Sequence, residues 1–330
     1  MMKNNFKLFS SSLQNWSEGL PVEAPTYLKV KKMLGSDWNK RNEIFGEINS
    51  LSITFTYYQL ASNAVLAGCT NNLWPIFKTT IECLMDRKFN IETVITTVHS
   101  QSPLVLISGE VARDLNIEGG RGSIGPGNKS ALVLGRAVYL FLRNICNAKP
   151  ETLDASTFGS LGKISFCFAE NITLSPWDEF HIRQGFQKNQ STITVFASQF
   201  PHEIVEMGEK NIKSLLDGLI YTLKNPWTYN AFYNQDVWLI ISPEHANKLE
   251  LAGYSIEKIK QYLFENTYFK PKELINRGLY GFIDKKIIND GKYLFKNPDN
   301  LKIVVSGGKP GGYSLVCFGS GISITKVINK

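Results

Sequence analysis

Apolar residues recur along this chain with two different periods, and the alternation between them predicts helices and strands in mixed succession. From Ile53 to Leu66 and from Leu73 to Met85 they return every three or four positions (Leu73, Ile76, Phe77, Ile81, Leu84), which predicts two helices joined by the turn Gly68-Cys69-Thr70-Asn71. Val94–Val98 and Leu104–Ser108 then read as strands. The stretch Asn128–Ile145 is apolar nearly all round, as a central buried helix should be. Arg136 and Arg143 lie about two turns apart on it, and each requires a carboxylate, a ligand or a solvent edge. Further on, Ile164–Ala169 and Thr192–Ala197 predict strands, Ile212–Leu223 an amphipathic helix and Val237–Ile241 a buried strand. Ser242-Pro243-Glu244 starts a helix with an N-cap hydroxyl, a proline at the first helical position and an early acidic residue. A helix over Ser255–Glu265 follows, and the strands Leu301–Val305 and Ser314–Phe318 flank a glycine loop, Gly307–Gly312.

This order predicts an α/β fold, a mixed sheet with layered helices in two lobes. Residues 1–25 are polar and read as an N-terminal arm, 26–205 as the main α/β domain, and 206–330 as a second α/β lobe. At 330 residues, 43% hydrophobic and 20% charged, the chain can bury a large core. Its net charge of +7 comes from scattered lysines, which argues against nucleic acid as a partner and favours an acidic substrate. Five cysteines without a C-x-x-C pair fit a reduced, cytoplasmic protein. No apolar run is long enough to span a bilayer, so no membrane is expected. A homo-oligomer is compatible with the composition. His99, His181, His202 and His245 show no metal-ligand spacing, so no metal is assigned, and no motif identifies a cofactor.

The strongest chemical signal is Gly119-Gly120-Arg121-Gly122-Ser123-Ile124-Gly125-Pro126-Gly127-Asn128-Lys129-Ser130, running into the apolar helix. Glycines let backbone N–H groups approach an anion, and the helix that follows adds its positive end. A dinucleotide fingerprint would need a strand leading directly into Gly120 and an acidic residue some twenty positions on, and neither is present. A P-loop is broken by Asn128, which separates Gly127 from Lys129. Two readings remain: a glycine-rich chain reversal, or an anion cradle formed by Arg121, Gly122, Gly125, Gly127, Asn128 and Lys129.

Polar groups concentrate between Lys163 and Arg183. On the expected strand Cys167 and Ala169 share one face, with Phe166, Phe168 and Glu170 on the other. Glu170 leaves the strand end, where a carboxylate can act as acid/base, or can serve as the structural partner of Arg136 or Arg143. His181 is the second acid/base candidate, against a packing role between Phe180 and Ile182. Cys69, beside Gly68, is the nucleophile candidate, against inert burial. Ser123 does not sit in G-x-S-x-G, so no hydrolase elbow is expected.

The runs Thr157-Phe158-Gly159-Ser160-Leu161-Gly162-Lys163, Phe166–Asn171, Ser175-Pro176-Trp177 and His181–Phe186 resemble an uncharacterised bacterial family associated with proteins that carry a UGSC or CGSC thiol/selenol motif. Ala67-Gly68-Cys69, Leu134-Gly135-Arg136 and Ser242–Ala246 resemble it too, so the likeness extends from about Ala24 onward. The resemblance implies a thiol- or selenol-dependent partner protein and reductive cleavage of a carbon–heteroatom bond. Phe158 and Ser160 stand where that pattern has histidines, so a histidine role at those sites is absent, and this chain has no UGSC or CGSC motif of its own. The expected function is an enzyme acting on a small anionic substrate by general acid/base chemistry, lyase-type or thiol-assisted. The alternative is a non-catalytic subunit presenting a small anion to a thiol/selenol partner.

Overall fold

The structure, a computed structural model, describes residues 13–117, 119–150, 152–208, 211–275 and 285–329. Eight strands form its core: β1 (Ser102–Ser108), β2 (Cys167–Ala169), β3 (Thr192–Ser198), β4 (His202–Val205), β5 (Val237–Ile241), β6 (Leu301–Val305), β7 (Tyr313–Cys317) and β8 (Gly319–Val327). They make two mixed four-stranded sheets, ordered β8-β3-β1-β2 and β6-β5-β7-β4. Each sheet contains one parallel pair, β1 with β2 (Ile107 opposite Ala169) and β5 with β6 (Leu239 opposite Ile303). The other pairings are antiparallel.

Strand periodicity assigns the layers. Successive side chains point to opposite faces, so Leu104 and Leu106 of β1 and Trp238 and Ile240 of β5 enter one common apolar cluster with Phe168, Phe196, Val304 and Cys317. The sheets therefore pack against each other through this cluster. Val105, Ile107, Ile193 and Val195 point the other way, into a core completed by α1 (Tyr27–Leu34), α2 (Tyr57–Ala67), α3 (Trp74–Leu84) and α4 (Lys129–Leu140). On the far side Val237, Leu239, Ile241, Ile303 and Val305 pack with α5 (Ile212–Leu223), α6 (Pro243–Leu251) and α7 (Ile256–Asn266). The result is an α/β fold in four layers, helix–sheet–sheet–helix.

Several local expectations change. Ile53–Thr56 is a strand pairing with Ile44–Ile48, because Thr56 caps α2 through a capping box with Gln59 and the helix cannot begin earlier. Val94–Val98 is not a strand; Ile91–Ile95 forms a short helix there. Strand β2 covers only the last three residues of the expected Ile164–Ala169. Strands β4 and β8 carry no strong apolar alternation and are found only through their pairing. The chain enters the second sheet at β4, near residue 205, but β8 returns to pair with β3, so the C-terminal segment contributes to the sheet of the N-terminal half.

Residues 13–25 of the expected arm are held by the two arginines of the central helix segment. Arg136 pairs with Glu18 at 2.5 Å in a largely buried contact, and Arg143 Nε donates to the Ser17 carbonyl at 3.0 Å. The remainder of the expected arm, residues 1–12, lies outside the described residues.

Trp238 lies at the centre of the inter-sheet layer. Its ring stacks between Phe180 (centroids 5.2 Å) and Phe196 (6.5 Å), and its indole N–H donates to Ser323 at 2.9 Å. Replacing it with alanine leaves a large cavity, and Trp238→Ala is expected to lower unfolding free energy by about 3–5 kcal/mol in chemical denaturation.

Candidate functional site

The inter-sheet layer becomes polar at one end. The face of β1 that carries Leu104 and Leu106 continues to Ser108, and the Phe168 face of β2 continues to Glu170. In the second sheet the Trp238–Ile240 face leads to Ser242 and the Val304 face to Ser306. These are the carboxyl ends of the four parallel strands, the edge at which open α/β sheets place ligands. The sheets touch there directly: Ser306 Oγ reaches the Ala169 carbonyl at 2.9 Å, and the Asn171 N–H donates to the Val305 carbonyl at 2.8 Å.

Both glycine loops sit over this edge and interlock. The Gly307 N–H donates to the Gly119 carbonyl at 2.7 Å, Arg121 donates to the Lys309 carbonyl, and Ser306 and Ser123 are joined through their hydroxyls at 2.8 Å. Two positions require the absence of a side chain. A Cβ on Gly119 would lie 2.3 Å from the Glu170 carbonyl carbon, and one on Gly308 would lie 2.7 Å from Arg121 Cβ. The sequence signal of the first loop thus has a packing component as well as a chemical one.

The first loop also walls a cavity of about 550 Å³ at the amino end of α4. Arg121, Gly122, Gly127, Asn128 and Lys129 line it, with no carboxylate among the described lining residues. Gly125 instead lines a neighbouring cavity of about 370 Å³ between the two loops. Asn128 is the N-cap: its side-chain oxygen accepts from Ala131 N at 3.1 Å, and the first helical bond runs from Leu132 N to the Asn128 carbonyl. The Lys129 and Ser130 N–H groups precede that bond and have no intrahelical acceptor.

Glu170 and His181 do come together, through a residue the sequence did not single out. Ser108 Oγ lies 2.8 Å from Glu170 Oε2 and 3.0 Å from His181 Nδ1. Ser108 could have been found from the parity of β1, where it continues an apolar face as a polar residue. Both Glu170 oxygens also accept from the Phe180 N–H, at 3.0 and 2.8 Å. Its cation is Arg183 (3.8 Å), not Arg136 or Arg143, which hold the N-terminal segment instead. Burial pushes the Glu170 carboxyl up to about 7, against the lowering influence of Arg183, the Phe180 N–H and the Ser108 hydroxyl.

The three groups can exist in two proton arrangements. With Glu170 ionised, Ser108 donates to Glu170, His181 Nδ1–H, which also lies 3.5 Å from Glu179 Oε2, donates to Ser108, and His181 Nε2 is a bare acceptor. With Glu170 protonated the row reverses and Nε2 carries the hydrogen. Nε2 is buried and has no hydrogen-bond partner among the described residues. Glu170 contributes to the wall of a cavity of about 380 Å³ that Gly119 and Gly120 also line, whereas its side chain is only 1% exposed.

Cys69 does not meet the expectation of a nucleophile. Its thiol is buried, donates to the Val133 carbonyl at 3.4 Å, and is pushed up to about 12 by burial. A thiolate does not form readily under those conditions. The other four cysteines are buried as well. Among the described residues no group of His, Cys, Asp and Glu could hold a metal ion, and no helix is long and apolar enough to cross a membrane. No family model, curated protein or solved structure matches the chain.

Glu170 sets a pH dependence with a defined sign. Its value in the folded protein lies above the ordinary 4.5, so the folded state binds more protons than the unfolded one between about 4.5 and about 7. The contribution of Glu170 to stability therefore falls as pH rises through that window, while His245, held below its ordinary 6.5 chiefly by burial, contributes with the opposite sign. In melting curves across it, Glu170→Gln should gain stability relative to wild type as pH rises; the same pH slope in both proteins would mean that Glu170 does not contribute to it.

Proposed function

We propose that the chain binds a small carboxylate- or phosphate-bearing molecule in the cavity at the amino end of α4. The observation that carries this reading is the composition of the cavity wall. Arg121 and Lys129 bring two positive residues to the wall of a space of about 550 Å³, beside glycine backbone and helix N–H groups that lack an intrahelical acceptor, and no carboxylate is among its described lining residues. The helix end adds its own partial positive charge, and a guanidinium offers a fork of donors suited to carboxylate or phosphate. A glycine-rich chain reversal alone would not require both cationic residues to line the same cavity. Calorimetry with inorganic phosphate and with acetate should detect binding that weakens with salt. Arg121→Ala and Lys129→Ala should each weaken it roughly 10-fold or more, as loss of a charge-assisted hydrogen bond does. Affinity equal to wild type in both variants overturns the assignment.

A second reading, favoured by the Glu170–Ser108–His181 row, is an enzyme that moves a proton during elimination or a related carbon–heteroatom bond change. A carboxyl held near 7 suits acid/base work at neutral pH. The backbone of Glu170, at one end of the row, lies against Gly119 of the proposed anion loop. With all five cysteines buried, thiol or selenol chemistry would come from a partner protein. For a ligand found by calorimetry, Glu170→Gln should abolish conversion and leave affinity near wild type. Conversion at the wild-type rate would reduce the row to a structural contact.

A further inference from the structure

The geometry points to a second subsite between the two glycine loops, which takes the hydroxylated part of the same anionic ligand. This rests on the anion reading of the α4 cavity and extends it to a substrate class, a carboxylate or phosphate ester that carries several hydroxyl groups.

The cavity of about 370 Å³ between the loops shares Arg121, Gly122 and Ser123 with the α4 cavity, so the two spaces adjoin across one short stretch of chain. Their walls differ in chemistry. Around the α4 end the charged groups are both cations, whereas the wall of the inter-loop cavity includes Glu203 as well as Arg121 and adds Ser242, Ser306, Ser314 and Tyr313. A carboxylate in the wall repels a second anion and accepts hydrogen bonds from hydroxyl groups. Tyr313, 38% exposed, offers an aromatic face and a hydroxyl.

Ser123 is the link between the two spaces. It is only 8% exposed, and its hydroxyl lies 2.8 Å from Ser306 Oγ. Ser306 has one proton and three oxygens within reach: Ser123 Oγ, the Ala169 carbonyl and the Gly119 carbonyl. If that proton goes to Ser123, the Ser123 proton has no described acceptor. If it goes to a carbonyl, Ser123 donates to Ser306 and its lone pairs are unmatched. Either way a buried hydroxyl at the junction retains hydrogen-bonding capacity that a ligand hydroxyl can use. The cavity size is within the range that holds small ligands.

Matched pairs of probes test the inference by calorimetry: inorganic phosphate against hexose 6-phosphate, and acetate against gluconate. The hydroxylated member of at least one pair should bind roughly 10-fold tighter, the gain expected from two net hydrogen bonds, and the responding pair identifies the anionic group. Glu203→Gln and Tyr313→Leu lie on exposed or half-exposed side chains, and melting curves confirm that each variant folds. Both should erase the gain and leave phosphate or acetate binding unchanged. Equal affinity within both pairs overturns the second subsite while the anion reading stands. A gain that persists in both variants also overturns it, by placing the hydroxyl contacts elsewhere. Loss of all phosphate and acetate binding in the wild type marks failure of the underlying anion reading.

Discussion

The apolar layer between the two sheets is the constraint on which the rest of the molecule depends. The strands that contribute to it have a helix core on their other face and are buried on both sides, mostly by apolar residues, with Thr192, Thr194 and Ser198 of β3 buried beside Phe196. Trp238, stacked between Phe180 and Phe196, joins residues of both sheets to the single helical turn that carries His181. Positions of Phe180 and His181 are therefore set by packing between sheets, and the contacts of Glu170 follow from them.

Where this layer ends, its chemistry inverts. The strand faces that carry Leu106, Phe168, Ile240 and Val304 continue as Ser108, Glu170, Ser242 and Ser306, so burial gives way to hydrogen bonding at one common edge. The glycine loops cover that edge because only residues without Cβ can lie this close to the Glu170 backbone and to Arg121. Packing and the proposed anion recognition thus draw on the same loop. The cost is low accessibility, and the buried carboxyl of Glu170 meets its neighbours through hydrogen bonds that are nearly saturated.

Periodic segments were legible in the chain because their burial is one-sided or complete. Helices α3, α5 and α7 and strands β1, β5 and β6 lie where the spacing of apolar residues places them. The cap at Ser242 was also read from the chain, since its hydroxyl stands just before the helix and accepts from His245 N, whereas Asn128 and Ser255 were shown to be caps only by the structure. By contrast, Ile53–Thr56 has residues compatible with either period, and its pairing with Ile44–Ile48 decided the outcome. Strands β4 and β8 are half-exposed and are defined by their hydrogen-bonding neighbours.

For the candidate site, the sequence by itself singled out the first glycine loop, Arg121 and Lys129 beside it, and the cluster around Glu170 and His181, because glycine content and local charge are properties of adjacent residues. Only the tertiary structure decided their relations. Ser108 stands 62 residues from Glu170 and 73 from His181, and no local pattern joins them. Cys69 looked reactive from its glycine neighbour and is inert because α4 buries it. Arg136 and Arg143, for which the sequence required a carboxylate, a ligand or a solvent edge, find Glu18 and the Ser17 carbonyl in the N-terminal segment. The pairing of the two glycine loops, separated by most of the chain, depends on both sheets presenting their parallel carboxyl ends to the same side, a long-range geometry that adjacent residues do not encode.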